Sequence, residues 1–349
     1  MNKALLGMRL AAATAAIGLL ALTGCASTGS GEAANGPAKH AKIKVASLSA
    51  AADIPLYVAL ENGYFAEAGL DVELVPVKSS SDIPALLVSG GVQFGTGQPN
   101  ATFFNAAASG IKDPVILATN VYSADTKIPG LVIRKDLADA GKGPGDLAGA
   151  NVAIVGPSTS SEYFAKSAIK AAGGDPAASQ FTVMGLPDML SALSNGKVDA
   201  AWMFEPLASV AVSKGIAVRA TGVGAVAAGF PTWLQASESI VKSDPEAVTA
   251  FSAATLRSLK YYDDALATGK RADVVKILTK YTSMTDAEDW TNVELPTVKT
   301  DGLFDEKAVQ AFQEYLVAGK VTAKVIPASE FVNDTFRAKA FDSLAESKK

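Results

Sequence analysis

The side chains best suited to contact a small molecule lie where predicted strands end, and the clearest group is in residues 194–206 (SNGKVDAAWMFEP). A buried strand over residues 198–204 delivers Trp202 and Glu205 to its carboxyl end, and the following proline stops strand pairing. Ligands of open α/β sheets bind at this edge. Trp202 and Glu205 are therefore candidate ligand-binding residues. The alternative is a core strand followed by a carboxylate that caps the next helix.

A second stretch, residues 90–99 (GGVQFGTGQP), repeats the same order of features. Each stretch has an apolar helix, a glycine turn, a valine-led strand and a polar residue before a proline, although the later copy is one residue longer. Gln98 and Asn100 would then hold in one half of the molecule the place that Glu205 holds in the other. The small side chains beside Gln98 suit close approach of a ligand better than core packing.

A third candidate is the junction of a strand with the helix that follows Pro157, where four hydroxyl residues occur in sequence (PSTSS). The free N–H groups and the dipole of a helix N-terminus favour an anion, and hydroxyls add donors without adding charge. Ser158, Thr159 and Ser160 are therefore candidate ligand-binding residues. The alternative is that one of them only caps the helix. The segment lacks the phosphate-loop pattern.

Two further side chains have both a local and a ligand-binding interpretation. Asp53 precedes a proline-led helix, so it either caps that helix or faces a ligand. Trp233 lies in a predicted strand over residues 231–237 and either stacks on a ligand or belongs to the core.

The composition excludes several classes of function. The only histidine is His40 and the only cysteine is Cys25, so the folded part has no histidine triad, cysteine nucleophile or ordinary zinc site. Carboxylate-pair and Ser-Lys chemistry stay open, but no motif for either occurs, and we predict no enzyme, no metal and no cofactor. The net charge is −4 with no long basic run, which argues against nucleic acid as a partner.

The N-terminus has the pattern of an exported lipoprotein. Lys3 and Arg9 precede an apolar run over residues 10–22, which is short for a membrane span and typical of a signal peptide. The run ends in LTGC, which resembles the bacterial lipoprotein cleavage box, so residues 1–25 are predicted to be a signal peptide with Cys25 as the lipidation site. An ordinary signal peptide with an incidental cysteine is the alternative. Residues 26–41 are predicted to form a flexible tether.

Five strings together resemble the substrate-binding proteins of ABC importers, within the nitrate, sulfonate and taurine branch that also includes binders of thiamine-pyrimidine precursors. They are PLYVALENGYFAEAGLDVELVPV, ALLVSGGVQFGTGQP, DLAGANVAIVGPSTS, NGKVDAAWMFEP and WLQASESIVKSDPEAV. The resemblance implies an α/β, two-lobed periplasmic-binding-protein fold (type II), with two doubly wound lobes joined by two crossover strands. Residues 42–129 and 231–349 would form lobe 1, and residues 130–230 would form lobe 2.

The resemblance implies a ligand-binding role for Asp53, Gln98, Asn100, Ser158, Thr159, Ser160, Trp202 and Glu205. Because two of these are acids and none is basic, a neutral, zwitterionic or amine-bearing organic ligand is expected. Its anionic end would lie at Ser158–Ser160, and Trp202 or Trp233 would stack on it.

The implied function is capture of a small organic ligand and delivery to an ABC permease and ATPase. The chain would be a monomer, anchored to the outer face of the cytoplasmic membrane. An enzyme of the pyrimidine-synthase type and a ligand sensor without transport are the alternatives. The related enzyme uses histidine and a cysteine-rich segment, which the folded region here lacks.

Overall fold

A computed structural model describes residues 42–296 and 298–346. The predicted signal peptide, the tether and the lipidation site Cys25 lie outside these residues. The described part of the chain contains ten strands, and helices separate all of them except β4 and β5. In chain order the strands are β1 (Ile43–Ser47), β2 (Val72–Pro76), β3 (Phe94–Gly97), β4 (Val115–Val121), β5 (Gly130–Arg134), β6 (Asn151–Ile154), β7 (Gln180–Val183), β8 (Ala200–Met203), β9 (Ala217–Gly222) and β10 (Pro231–Ala236).

The helices cover both faces of the sheets and form most of the C-terminal part of the chain. They are α1 (Ile54–Glu61), α2 (Tyr64–Glu67), α3 (Ile83–Val88), α4 (Ala101–Ala108), α5 (Lys135–Asp139), α6 (Ser160–Ala171), α7 (Leu186–Ser194), α8 (Leu207–Ser213), α9 (Gly224–Ala227), α10 (Glu238–Ser243), α11 (Pro245–Ala267), α12 (Arg271–Tyr281), α13 (Glu306–Ala318) and α14 (Thr335–Glu346). No helix of the described residues combines the length and the apolar character needed to cross a bilayer.

The strands form two five-stranded sheets with the same construction. The first has the order β2-β1-β3-β10-β4 and the second has the order β7-β6-β8-β5-β9. In each sheet the first three strands are parallel, and the fourth runs antiparallel to both of its neighbours. Strands β3 and β8 occupy the same position in the two sheets. The resemblance between residues 90–99 and residues 194–206 is thus a resemblance between equivalent parts of two sheets.

Two connections join the sheets, one from β4 to β5 and the other from β9 to β10, and they are hydrogen-bonded to each other. Tyr122 N donates to Phe230 O at 3.1 Å, and Gly229 N donates to Tyr122 O at 2.7 Å. The connections also approach each other closely beside Gly224, where a Cβ would lie 2.3 Å from Ser123 O. A glycine is therefore required there by the space between the two chains.

The first sheet is packed against the long helix α11 through its apolar face. Val248, Phe251, Leu259 and Tyr262 are almost completely buried, as the helical spacing of these residues predicts. Phe251 stacks on Phe94 of β3 with ring centroids 4.2 Å apart. This packing buries one face of the first sheet.

Candidate functional site

A cavity of about 40 Å³ lies between the two sheets, at the carboxyl edge of both. The loop after β1, the end of β4, the segment before β5 and the turn after β8 all contribute to it. Pro296, in the segment between α12 and α13, also contributes to it. The residues that line it are Ala50, Ala51, Ala52, Asn120, Tyr122, Ile128, Pro129, Phe204, Glu205 and Pro296. Because open α/β sheets bind ligands at this edge, the cavity is the candidate site.

Glu205 reaches the cavity but its carboxylate already has protein partners. Ser209 of α8 donates to it from its backbone N at 3.0 Å and from its Oγ at 2.8 Å. Arg219 Nη2 lies 3.0 Å from Glu205 Oε1 and forms an ion pair with it. Burial raises the pKa of Glu205, and the bonds from Ser209 and Arg219 oppose that rise. The carboxylate thus bonds the first turn of the next helix, which is the alternative role that the sequence left open for it.

Asp53 is buried beneath the loop that follows β1, with 1% of its surface exposed. Its carboxylate accepts from Ser47 Oγ at 2.7 Å, from Leu48 N at 3.0 Å and from Thr96 Oγ1 at 2.6 Å. Burial raises the pKa of Asp53, and these three donors oppose the rise. The side chain makes no capping bond to α1. Asp53 thus ties the end of β1 to the end of β3 and shapes the loop that lines the cavity.

Gln98 and Ser160 lie in contact across the two sheets. Ser160 Oγ donates to Gln98 Oε1, and Gln98 Nε2 donates to the hydroxyl of Tyr122. Gln98 follows β3 and Ser160 begins α6, so a single chain of side chains joins the first sheet, the connection between the sheets, and the second sheet. The structure brings together these two predicted site residues, which are 62 positions apart in the sequence.

The other predicted polar residues have local roles. Asn100 Oδ1 accepts from Phe103 N at 2.9 Å and so caps α4, while its Nδ2 donates to two backbone carbonyls. Thr159 Oγ1 donates to Gly156 O at 2.8 Å. Ser158 has φ 59°, and its N–H donates to Glu162 Oε2 at 2.7 Å.

Glu162 brings a negative charge to the start of α6, where the anionic end of a ligand was expected. Burial alone would raise the pKa of Glu162, but the hydrogen bonds from Lys166 and from Ser158 N–H outweigh it and lower the pKa. The carboxylate of Glu162 therefore already accepts the hydrogen bond that the N–H of Ser158 can donate. This arrangement disfavours the predicted binding of an anion at residues 158–160.

Both candidate tryptophans lie in the apolar core and neither lines the cavity. Trp202 and Trp233 are 0% exposed. Trp202 packs on Phe164 with ring centroids 5.4 Å apart, and Trp233 packs on Phe103 at 4.9 Å. The core interpretation of Trp233 is the one that the structure bears out.

Sequence reasoning missed several residues that line or support the cavity, among them Asn120, Tyr122 and Arg219. Asn120 offered a signal, since it is a carboxamide within the apolar strand β4 (VILATNV). Arg219 offered none, because nothing in the sequence places its side chain beside Glu205. Within the described residues, no group of His, Cys, Asp and Glu side chains could hold a metal ion.

Comparisons with known proteins identify the family and the fold. A formylaminopyrimidine-binding protein of Halalkalibacterium halodurans is 34% identical over 122 residues, and the match spans 34% of each chain. Two solved structures share the fold. The alkanesulfonate-binding protein SsuA of Xanthomonas axonopodis has a TM-score of 0.67 at 15% identity, covering 85% of this chain and 99% of that one. The periplasmic nitrate-binding protein NrtA of Synechocystis has a TM-score of 0.68 at 15% identity, covering 87% and 89%.

These matches confirm the two-lobed periplasmic-binding-protein fold and the resemblance inferred from the sequence. The relatives are named as binding proteins, in agreement with the prediction that the chain is not an enzyme. The family model described as NMT1/THI5 like matches residues 51–265. As this match covers more than half of the chain, the protein belongs to the NMT1/THI5-like family.

Proposed function

We propose that this protein is the solute-binding component of an ABC importer and captures a small organic molecule between its two sheets. One observation carries the proposal: residues of both sheets and of the connection between them line a single cavity at the carboxyl edges. A cavity of about 40 Å³ is smaller than an organic ring, so the sheets must separate to admit the ligand and close again around it. Residues 42–129 with 231–349, and residues 130–230, would be the two moving bodies.

The chemistry of the lining favours a neutral heteroaromatic ligand that carries amino or amide groups. Among the described residues that line the cavity there is no lysine or arginine, and the nearby Arg219 is paired with Glu205. An acceptor-only anion such as nitrate would therefore find no charge partner and would face Glu205. Phe204, Ile128 and Pro129 offer apolar walls for a flat ring. The name of the formylaminopyrimidine-binding relative supports an aminopyrimidine over a sulfonate.

The expected setting is the outer face of the cytoplasmic membrane. Lipidation of Cys25 would hold the protein there through the tether, and a permease and an ATPase would take the ligand from it as it opens. The mature protein would act as a monomer. Export itself is supported by the periplasmic location that the nitrate-binding relative's name gives.

A thermal-shift and calorimetric panel tests the proposal. It compares nitrate, an alkanesulfonate, 4-aminopyrimidine and formylaminopyrimidine at equal concentrations. We expect stabilisation by the aminopyrimidines alone, and a ligand at 100 times its Kd should add about 2.7 kcal/mol to the free energy of unfolding. Stabilisation by nitrate or the sulfonate alone would contradict the assigned ligand class, and a lack of response to every compound would contradict the receptor function.

A further inference from the structure

Asn120 is the polar side chain of the cavity that has the least protein support. It is 2% exposed, and its Oδ1 is buried without a hydrogen-bond partner among the described residues. Since Asn120 lines the cavity, a molecule bound there is the natural partner for this oxygen. Buried polar atoms in native proteins are nearly always hydrogen-bonded, so an unpartnered one beside a binding cavity points to a ligand contact.

The position of Asn120 differs from those of the other lining residues. It lies near the end of β4, opposite Thr232 of β10, and the connection to the second sheet begins directly after this strand. The loop with Ala51 comes from the first sheet and Glu205 from the second, so these two move apart when the sheets separate. Asn120 lines the cavity from the strand that leads into the connection between the sheets.

The charge around Asn120 decides which group it can bind. Its unpartnered atom is a carbonyl oxygen, which accepts hydrogen bonds. Glu205 is the acid among the described residues that line the cavity, and none of these residues is basic. An N–H donor of the ligand is favourable at this place, whereas the oxygen of a nitrate or a sulfonate is repelled.

We propose that Asn120 is a specificity-determining residue, whose side-chain oxygen accepts a hydrogen bond from an amino group on the ring of the ligand. This inference rests on the proposed function and deepens it. The ligand must therefore carry an N–H donor at the edge that faces β4. A ligand with the same ring but without that hydrogen leaves Asn120 Oδ1 unpaired and binds more weakly.

Isothermal titration calorimetry with two probes tests this assignment. The probes are 4-aminopyrimidine and 4-methylpyrimidine, which are close in size but differ in whether the ring substituent carries N–H hydrogens. Wild-type protein should bind the first about tenfold to a hundredfold more tightly, the usual consequence of leaving a buried acceptor unpaired. Asn120→Leu should reduce that preference to less than about threefold, because leucine has no side-chain acceptor.

Thr119→Val is the matched control. Thr119 is the adjacent residue of β4, is equally buried, and donates its Oγ1 hydrogen to Thr232 O at 3.3 Å without lining the cavity. It should keep the wild-type preference. Thermal melts of each variant establish that it is folded, and Asn120→Ser serves as the second variant if Asn120→Leu does not fold.

The outcomes separate this inference from the proposed function. An undiminished preference in a folded Asn120 variant, or equal binding of both probes by wild-type protein, would overturn the role of Asn120 and leave the receptor function standing. Failure of wild-type protein to bind either probe would overturn the aminopyrimidine assignment and the role of Asn120 together.

Discussion

The contact between Gln98 and Ser160 should control how far the two sheets separate in the absence of ligand. Ser160→Ala removes the donor and leaves Gln98 Oε1, on a residue 8% exposed, without a partner while the sheets are closed. Leaving a buried acceptor unpaired costs about 1–3 kcal/mol. When the sheets separate, water can hydrogen-bond the side-chain amide of Gln98. The free-energy cost therefore applies only to the closed arrangement. The ratio of closed to open molecules should therefore fall by about 5- to 150-fold.

Small-angle X-ray scattering measures this change as a larger radius of gyration of ligand-free Ser160→Ala. Ser161→Ala is the matched control, because Ser161 is fully buried in the same helix but its Oγ accepts from Val155 N within the second sheet's own unit. It should leave the radius unchanged. An unchanged radius in Ser160→Ala, or an equal increase in both variants, would refute the reasoning.

Two further predictions concern stability. The pKa of Asp53 is raised by burial, so above its ordinary value of 3.8 the native state binds more protons than the unfolded state, and stability should fall as the pH rises. Asp53→Asn should flatten this decline in urea denaturation at pH values above 3.8, and an unchanged slope would contradict the assignment. Gly224→Ala places a Cβ 2.3 Å from Ser123 O, which should cost about 1–3 kcal/mol of unfolding free energy. Gly91→Ala, whose Cβ would meet nothing closer than 3.4 Å, is the control, and equal losses in both would refute the steric argument.

Periodicity and turn chemistry predicted most of the fold. The apolar run over residues 115–121 predicts a strand, and β4 has these bounds. The Asn195-Gly196 pair predicts a helix end, and α7 ends at Ser194, with φ 73° at the glycine. These local signals work because strand and helix patterns depend on which side chains alternate between core and solvent. Strand β7 (QFTV) was missed because it pairs with only one neighbour and is mostly half-exposed, so its apolar pattern is weak.

The site could be predicted only in part, because its chemistry depends on pairs of residues that are distant in the sequence. The sequence located Glu205, Gln98 and Ser160 at strand and helix ends, where the structure has them. It could not show that Arg219 forms an ion pair with Glu205, or that the side chain of Gln98 is hydrogen-bonded to Ser160. Both pairs form when separate elements pack together, and packing is not encoded in local spacing.

The sequence by itself determined that the chain has two similar α/β halves, that histidine and cysteine chemistry is excluded from the folded part, and that polar residues gather at strand ends. Composition and periodicity are sufficient for these conclusions because they depend on residue type and order alone. Only the tertiary structure decided which of those side chains remain available. Burial assigned Trp202 and Trp233 to the core, while Asn120 lines the cavity with a side-chain oxygen that has no partner among the described residues.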